Sequence, residues 1–199
     1  MQVELNHVKF WMDAIRNSND HLRVLEAFWN GQLKSKEWLI NNLRPWVIQP
    51  SNITIYGGWV GVLASMLFQS DIPIEKIESV DIDRACLDTA ITMNKIEEMQ
   101  GRFRSVCCPM ETYLNFGPNP IAINTSAEHI SQESYNQWLN LLLPDTLIVV
   151  QSNNYVIDEH CRIANSLDEF RSQCQLKEWW AGELKLPLYT RYMIIGIKK

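Results

Sequence analysis

The segment INTSAEHI, Ile123 to Ile130, holds the richest polar cluster in the chain. Asn124 offers a donor and an acceptor, Thr125 and Ser126 offer hydroxyls, and Glu128 and His129 can accept or relay a proton. Such a set suits a reaction in which a nucleophile is held close to an electrophile and deprotonated. On that reading Glu128 or His129 is the base, Asn124 a second catalytic contact, and Ser126 a substrate contact. The same residues also fit a plainer role, in which Ser126 to Glu128 cap a following helix and His129 sits on its first turn. A second set lies upstream. NITIYGGWVG runs a β-like stretch into Gly57, Gly58 and Gly61, and an apolar helical pattern follows. A strand–glycine–helix turn exposes backbone N–H groups at a helix N-terminus, an end that favours negative or electron-rich groups. The glycines permit close approach or positive φ. Asp81 comes 24 residues after Gly57, at the end of KIESVDID. A carboxylate there can accept two hydrogen bonds from the vicinal hydroxyls of a ribose. Turn and acid together imply a nucleoside-containing ligand.

Smaller signals surround these two. QSNNY, Gln151 to Tyr155, is a row of amides at a strand end; it reads as a turn or as a substrate edge that includes Asn153. Glu159–His160 repeats the Glu–His pair of Glu128–His129, but no HxxxH or carboxylate spacing accompanies them, so no metal is expected. FWNGQLKSKEWL offers Trp29, Gln32, Lys36 and Trp38. These read as a lid in which Trp29, Gln32 and Lys36 touch substrate, or as a packing helix with its tryptophans in the core. Lys36 is placed to pair with a carboxylate, of a cofactor or of a small acid. Arg191, in TRYMIIGIKK, reads as a rim charge. Trp59, inside the glycine turn, either packs in the core under the helix that follows the turn or walls the pocket.

The elements that must position these groups follow from hydrophobic rhythm. Helical spacing marks VKFWMDAIR, HLRVLEAFW with Gly31 closing it, and SKEWLINNLRPWV from a cap at Ser35 to a break near Pro45. From residue 52 strands and helices alternate: NITIY, KIESVDID, FRSVCCP, PIAINTS and DTLIVVQSN are strands. RACLDTAITMNKIEEMQ is a long helix ended by Gly101, ESYNQWLNLLL a helix stopped by Pro144, and SLDEFRSQCQ a helix with a capping box at Ser166 and Glu169. LKEWWAGELKL and YTRYMIIGIKK close the chain as an antiparallel pair. Alternation of this kind predicts an α/β, doubly wound, mostly parallel seven-stranded sheet with helices on both faces. Ligands bind such sheets beyond the carboxyl ends of the strands. The expected organisation is an N-terminal helical cap or lid over residues 1–50 and one α/β domain over 51–199.

Composition narrows the partners. The 199 residues suffice for a single domain with its own core. A net charge of −5 weighs against nonspecific contact with nucleic acid or anionic membrane. The start, MQVELNHVKFWMDAIR, lacks the basic and apolar blocks of a signal peptide, and no stretch approaches the ~18 apolar residues of a membrane span. Five cysteines with no CxxC pair read as reduced thiols. A cytoplasmic protein is expected.

Neither GxGxxG nor GxxxxGK[ST] is present. What is present, YGGWVGVLA followed by SVDIDRACLDTA, resembles the class I S-adenosylmethionine (SAM)-dependent methyltransferases over roughly residues 50–199. Here Ile55 stands where that family often has an acid, Trp59 where it has a middle glycine, and Pro109 where many members have an acid. The resemblance implies SAM as cofactor. Gly57, Gly58 and Gly61 would face its amino-acid end, Asp81 its ribose, and Ile82 and Met110 its adenine. Tyr56, Asn124 and Thr125 would border it at the strand ends. Asn124-Thr125-Ser126-Ala127 lacks the prolines and aromatic of base-modifying amino-methyltransferases, so the expected acceptor is a small molecule. Two alternatives use the same scaffold: a SAM-using enzyme that transfers another group or acts as a lyase, and an inert SAM-binding protein.

Overall fold

The structure is a computed structural model that describes residues 4–115 and 117–199. Met1–Val3, the start of the segment read for a signal peptide, lie outside the described residues. Seven strands form one sheet: β1 (Ser51–Tyr56), β2 (Ile74–Asp81), β3 (Phe103–Cys107), β4 (Ile121–Asn124), β5 (Leu147–Asn153), β6 (Leu176–Lys185) and β7 (Thr190–Lys198). Their order is β3-β2-β1-β4-β5-β7-β6. The first five run parallel, and β7 pairs antiparallel with both β5 and β6.

Side chains alternate across this sheet with period two. Ile53, Ile55, Ile123, Val149, Met193 and Ile195 enter one apolar cluster. Tyr56, Ala122, Ile148, Val150, Tyr192 and Ile194 enter the other. Helices α7 (Gln132–Leu141) and α8 (Leu167–Cys174) cover the second face through Tyr135, Trp138 and Phe170. The first face is covered by α4 (Val62–Phe68) and α5 (Arg84–Met93), and by α1 (Leu5–Asn17), α2 (His21–Glu26) and α3 (Asn30–Leu43). The N-terminal helices therefore share a core with the sheet. Polar contacts fix them as well. Trp11 Nε1 donates to Ser65 Oγ at 2.8 Å, His7 Nε2 meets Glu97 Oε1 at 2.9 Å, and Arg23 Nη1 reaches Asp83 Oδ2 at 2.7 Å. Among the described residues no helix is long and apolar enough to cross a membrane.

Three local expectations change. Gly31 does not close α2; it lies buried in the first turn of α3, which begins at Asn30. Ser35 is not a cap, because its hydroxyl donates to Gln151 Oε1 on β5 at 3.1 Å, a partner 116 residues away. The long helix breaks at Asn94 into α5 and α6 (Lys95–Met99). Asn94 Nδ2 there donates to the carbonyls of Gly61 at 3.1 Å and Ala90 at 3.0 Å, tying the break to the glycine turn. The capping expectation at Ser166 is met, since its Oγ accepts the Glu169 N–H at 3.1 Å.

Candidate functional site

The order of strand addition reverses between the parallel neighbours β1 and β4, and the loops after β1, β2, β4 and β5 converge beyond that point. They enclose a cleft of about 1080 Å³, roofed in part by α2 and α3. Every residue singled out above for catalysis, cofactor or substrate lines this cleft.

The glycine turn forms its floor. Gly57 and Gly61 have φ of 68° and 82°, the left-handed region that glycine enters without strain. A Cβ on Gly58 would lie 1.9 Å from Ser79 Oγ, so the turn rests directly on β2. The amides do not stand free, as the sequence had suggested. Gly57 N–H and Gly58 N–H both donate to the Val80 carbonyl, at 2.9 and 3.1 Å, and Gly61 N–H donates to the Gly58 carbonyl. The glycines therefore supply shape and room more than donors. Trp59 also has a positive φ, 49°, uncommon for a bulky side chain. Its N–H donates to Asp81 Oδ2 at 2.9 Å, and its ring both packs on the larger core cluster and lines the cleft. Gly57→Ala adds a methyl group with ordinary clearance, 3.6 Å from Ser126 Cβ. Only the left-handed backbone resists it, so a stability loss of roughly 1–2 kcal/mol is expected by chemical denaturation.

Asp81 sits at the end of β2 beside this turn. Its Oδ2 accepts from Trp59 N–H and its Oδ1 from Asp83 N–H at 3.0 Å. Each carboxylate oxygen accepts two hydrogen bonds, so one position remains on each. Ile82, next in sequence, is 75% exposed at the cleft edge. Met110, on a 3-10 turn (Met110–Thr112) after β3, also lines the cleft, and its Sδ takes a weak contact from Asn124 Nδ2 at 3.7 Å. Asn124 Oδ1 accepts Ser126 N–H and shapes the turn after β4. Tyr56 presents main chain alone, for its ring is buried against Trp138 and its hydroxyl donates to the Tyr113 carbonyl.

The opposite wall is polar. Lys36 is 8% exposed; its ammonium donates to Gln32 Oε1 at 2.9 Å, and Trp29 stands exposed at the mouth. Burial, with Arg191's positive charge nearby, lowers the Lys36 pKa to about 7. Arg191 is no rim charge: it is 5% exposed, and its Nη1 bonds Glu128 Oε1 at 2.7 Å. Its Nη2 donates to the Thr125 carbonyl. Asn153 Nδ2 donates to the same Glu128 oxygen at 2.6 Å, and Asn153 Oδ1 accepts Tyr155 N–H. His129 follows Glu128 on a 3-10 turn (Ala127–His129), and His160 stacks edge-on against it with ring centroids 4.5 Å apart. Desolvation by the cleft walls lowers the His129 pKa although part of the ring meets solvent; Glu128 opposes that shift. The cap of α7 is Ser131, so Ser126 and Glu128 are free of that duty.

No family model and no curated protein matches the chain in sequence. Solved structures do match in shape. The N-methyltransferase NodS from Bradyrhizobium japonicum WM9, in complex with S-adenosyl-L-homocysteine, gives a TM-score of 0.65 at 9% identity over 97% of this chain and 98% of its own. A geranyl diphosphate methyltransferase in complex with GPP and sinefungin gives 0.63 at 13% identity, over 84% and 78%. The pyocyanin biosynthetic protein PhzM gives 0.64 at 13% identity over 95% of this chain; the chain spans 62% of that protein's length. The chain has the class I SAM-dependent methyltransferase fold. At these identities the likeness is one of fold alone.

Within this methyltransferase fold several residues at or behind the cleft wall make pairings that the sequence did not announce. Arg23 reaches the cleft edge from α2, and its ion pair with Asp83 fastens the N-terminal helices beside the β2 end. Tyr155 and Tyr189 face each other at 5.7 Å on the polar wall. Gln151, inside β5, links Ser35 and Arg191. Each is paired with a residue remote in sequence, and no spacing rule finds such pairs.

Proposed function

We propose that the chain is a SAM-dependent methyltransferase acting on a small-molecule acceptor. One observation carries the reading: Asp81 ends β2 hydrogen-bonded to the glycine turn, with an acceptor position left on each oxygen, in a cleft at the switch point of this fold. Asp81 takes the ribose hydroxyls, and Ile82 and Met110 sandwich the adenine. Gly57, Gly58 and Gly61 lie under the amino-acid end, with Asn124, Thr125 and the main chain of Tyr56 along the border. Bound SAM supplies a sulfonium-activated methyl group.

The acceptor lies against the polar wall, between Trp29, Gln32, Lys36, Ser126 and the His129–His160 pair. α1–α3 act as the lid that excludes water from it. Glu128 is poorly placed as a free base because two donors hold its Oε1. His129 and His160 stand on the wall where the acceptor's reacting group would lie. Asn153 acts by holding Glu128 rather than by touching substrate.

Calorimetric titration with SAM tests the cofactor assignment. Asp81→Ala is expected to weaken binding by roughly 1.5–3 kcal/mol, through lost charge-assisted hydrogen bonds. That is about 10- to 150-fold in Kd. Asp81→Asn, which keeps the shape of the turn, should fall in the same direction. Unchanged affinity in both folded variants removes Asp81 from the site. Product analysis then tests the chemistry: S-adenosylhomocysteine marks methyl transfer, and methylthioadenosine marks transfer of the aminocarboxypropyl group.

A further inference from the structure

The sequence gives no metal-ligand spacing, yet the fold brings three donors together. Glu128, His129 and His160 each offer one ligand atom, and the three atoms lie within 4.8 Å of one another on the wall of the cleft. We propose that these three side chains form a binding site for a first-row divalent transition metal ion.

The surroundings are those of oriented ligands. His129 Nδ1 lies 3.2 Å from the Glu159 carbonyl and His160 Nδ1 lies 2.7 Å from the Tyr155 carbonyl. A main-chain carbonyl can only accept, so each Nδ1 carries a proton, and each Nε2 keeps its lone pair. Such outer contacts fix the tautomer and orientation of metal-binding imidazoles. Glu128 is prepared in a similar way. Its Oε1 is occupied by Arg191 and Asn153, while its Oε2 is buried with no hydrogen-bond partner among the described residues. The residue is 3% exposed, and a buried carboxylate oxygen left without a partner is costly. A cation bound there would satisfy it. The frame is sewn together too. Cys161 N–H and Arg162 N–H both donate to the Glu128 carbonyl, at 2.9 and 3.0 Å, so the loop bearing His160 is fastened to the turn bearing His129.

Two imidazoles and one carboxylate favour ions such as Zn²⁺ or Co²⁺ over Mg²⁺ or Ca²⁺, which prefer oxygen. Around bonds of about 2.1 Å, donor atoms stand roughly 3–3.5 Å apart, so the side chains close by about 1 Å or more on binding. His129 and His160, more exposed than Glu128, make that movement. Three protein donors leave coordination positions open to the cleft.

On the methyl-transfer reading, on which this one step rests, an open position takes the acceptor's hydroxyl oxygen. The hydroxyl proton passes to solvent, and the metal-held oxygen attacks the methyl carbon. The carbon–sulfur bond breaks with its electron pair going to sulfur, which leaves a neutral thioether. The acceptor class would then be a hydroxyl compound able to ligate the metal.

The test is titration of untagged, chelator-stripped protein with Zn²⁺ by calorimetry and with Co²⁺ by visible absorption, in the absence of SAM. One ion per chain is expected, with His129→Ala and His160→Ala each binding at least 10-fold more weakly. Circular dichroism verifies that the variants are folded. Absence of stoichiometric binding, or binding equal in wild type and both variants, overturns the site. SAM titration of the same stripped protein separates the two claims. A protein that binds SAM but no metal refutes this site alone, and one that binds metal but no SAM refutes the cofactor assignment alone.

Discussion

Arg191→Met is expected to lower the stability of the protein by about 3–5 kcal/mol. For a chain of this length that is a fall of roughly 6–20 °C in Tm. The reason lies in what the substitution leaves behind. The Arg191 and Glu128 side chains are 7% and 3% exposed, with 2.7 Å between charged atoms. Without the guanidinium, the Glu128 carboxylate remains buried with one donor from Asn153. The Thr125 carbonyl and Gln151 Oε1 lose a partner as well. The loss is that of an uncompensated charge rather than of one favourable contact, because a buried pair by itself contributes little net stability. Hence Arg191→Met combined with Glu128→Gln should recover most of the loss, although it removes more charge than the single change. Denaturant titration of both variants decides the matter. An exposed rim arginine would give a change within about 0.5 kcal/mol and no recovery.

That arginine also marks where sequence reading stopped. Thr190 to Lys198 is legible as a strand, and its alternation correctly puts Arg191 on the face of Met193. Nothing local says that this face is closed at that height by Glu128, 63 residues earlier, and by α3. The sheet itself was legible because period-two burial and glycine punctuation are local properties. Asp81 at the β2 end follows from the same local rules. The glycine amides were misjudged for a related reason. Their acceptor, the Val80 carbonyl, belongs to the neighbouring strand and exists only once β1 and β2 are in register. Ser35 has the local look of a cap and is used as a tertiary contact to Gln151. The His129–His160 meeting is a fact of loop closure, 31 residues apart, which no ligand-spacing pattern encodes.

Lys36→Met is expected to make the ligand-free protein more stable at neutral pH while weakening its hold on an acidic ligand. Lys36 donates to the side chain of Gln32 and, at 3.4 Å, to its carbonyl; both partners are neutral, and the nearest charge acting on it is the like charge of Arg191. Its pKa in the folded state is about 7, against an ordinary 10.5. Above about pH 10.5 the amine is neutral in folded and unfolded chains, and the substitution changes no charge. Between about 10.5 and 7 the unfolded chain takes up a proton that the folded chain does not, so folding weakens as pH falls. Below about 7 the whole penalty is present. The gain from Lys36→Met should therefore be roughly 2–4 kcal/mol at pH 6 and shrink toward zero near pH 10.5. Denaturant melts at the two pH values measure it; a variant less stable than wild type at both would mean the amine is well satisfied in the fold. On the proposed function, a ligand that supplies the missing negative charge would account for a lysine kept buried against its own solvation. A carboxylate-bearing ligand should accordingly bind the variant at least 10-fold more weakly, and its uncharged amide analogue should lose much less. Stability gained and affinity lost together separate a binding lysine from one that only packs.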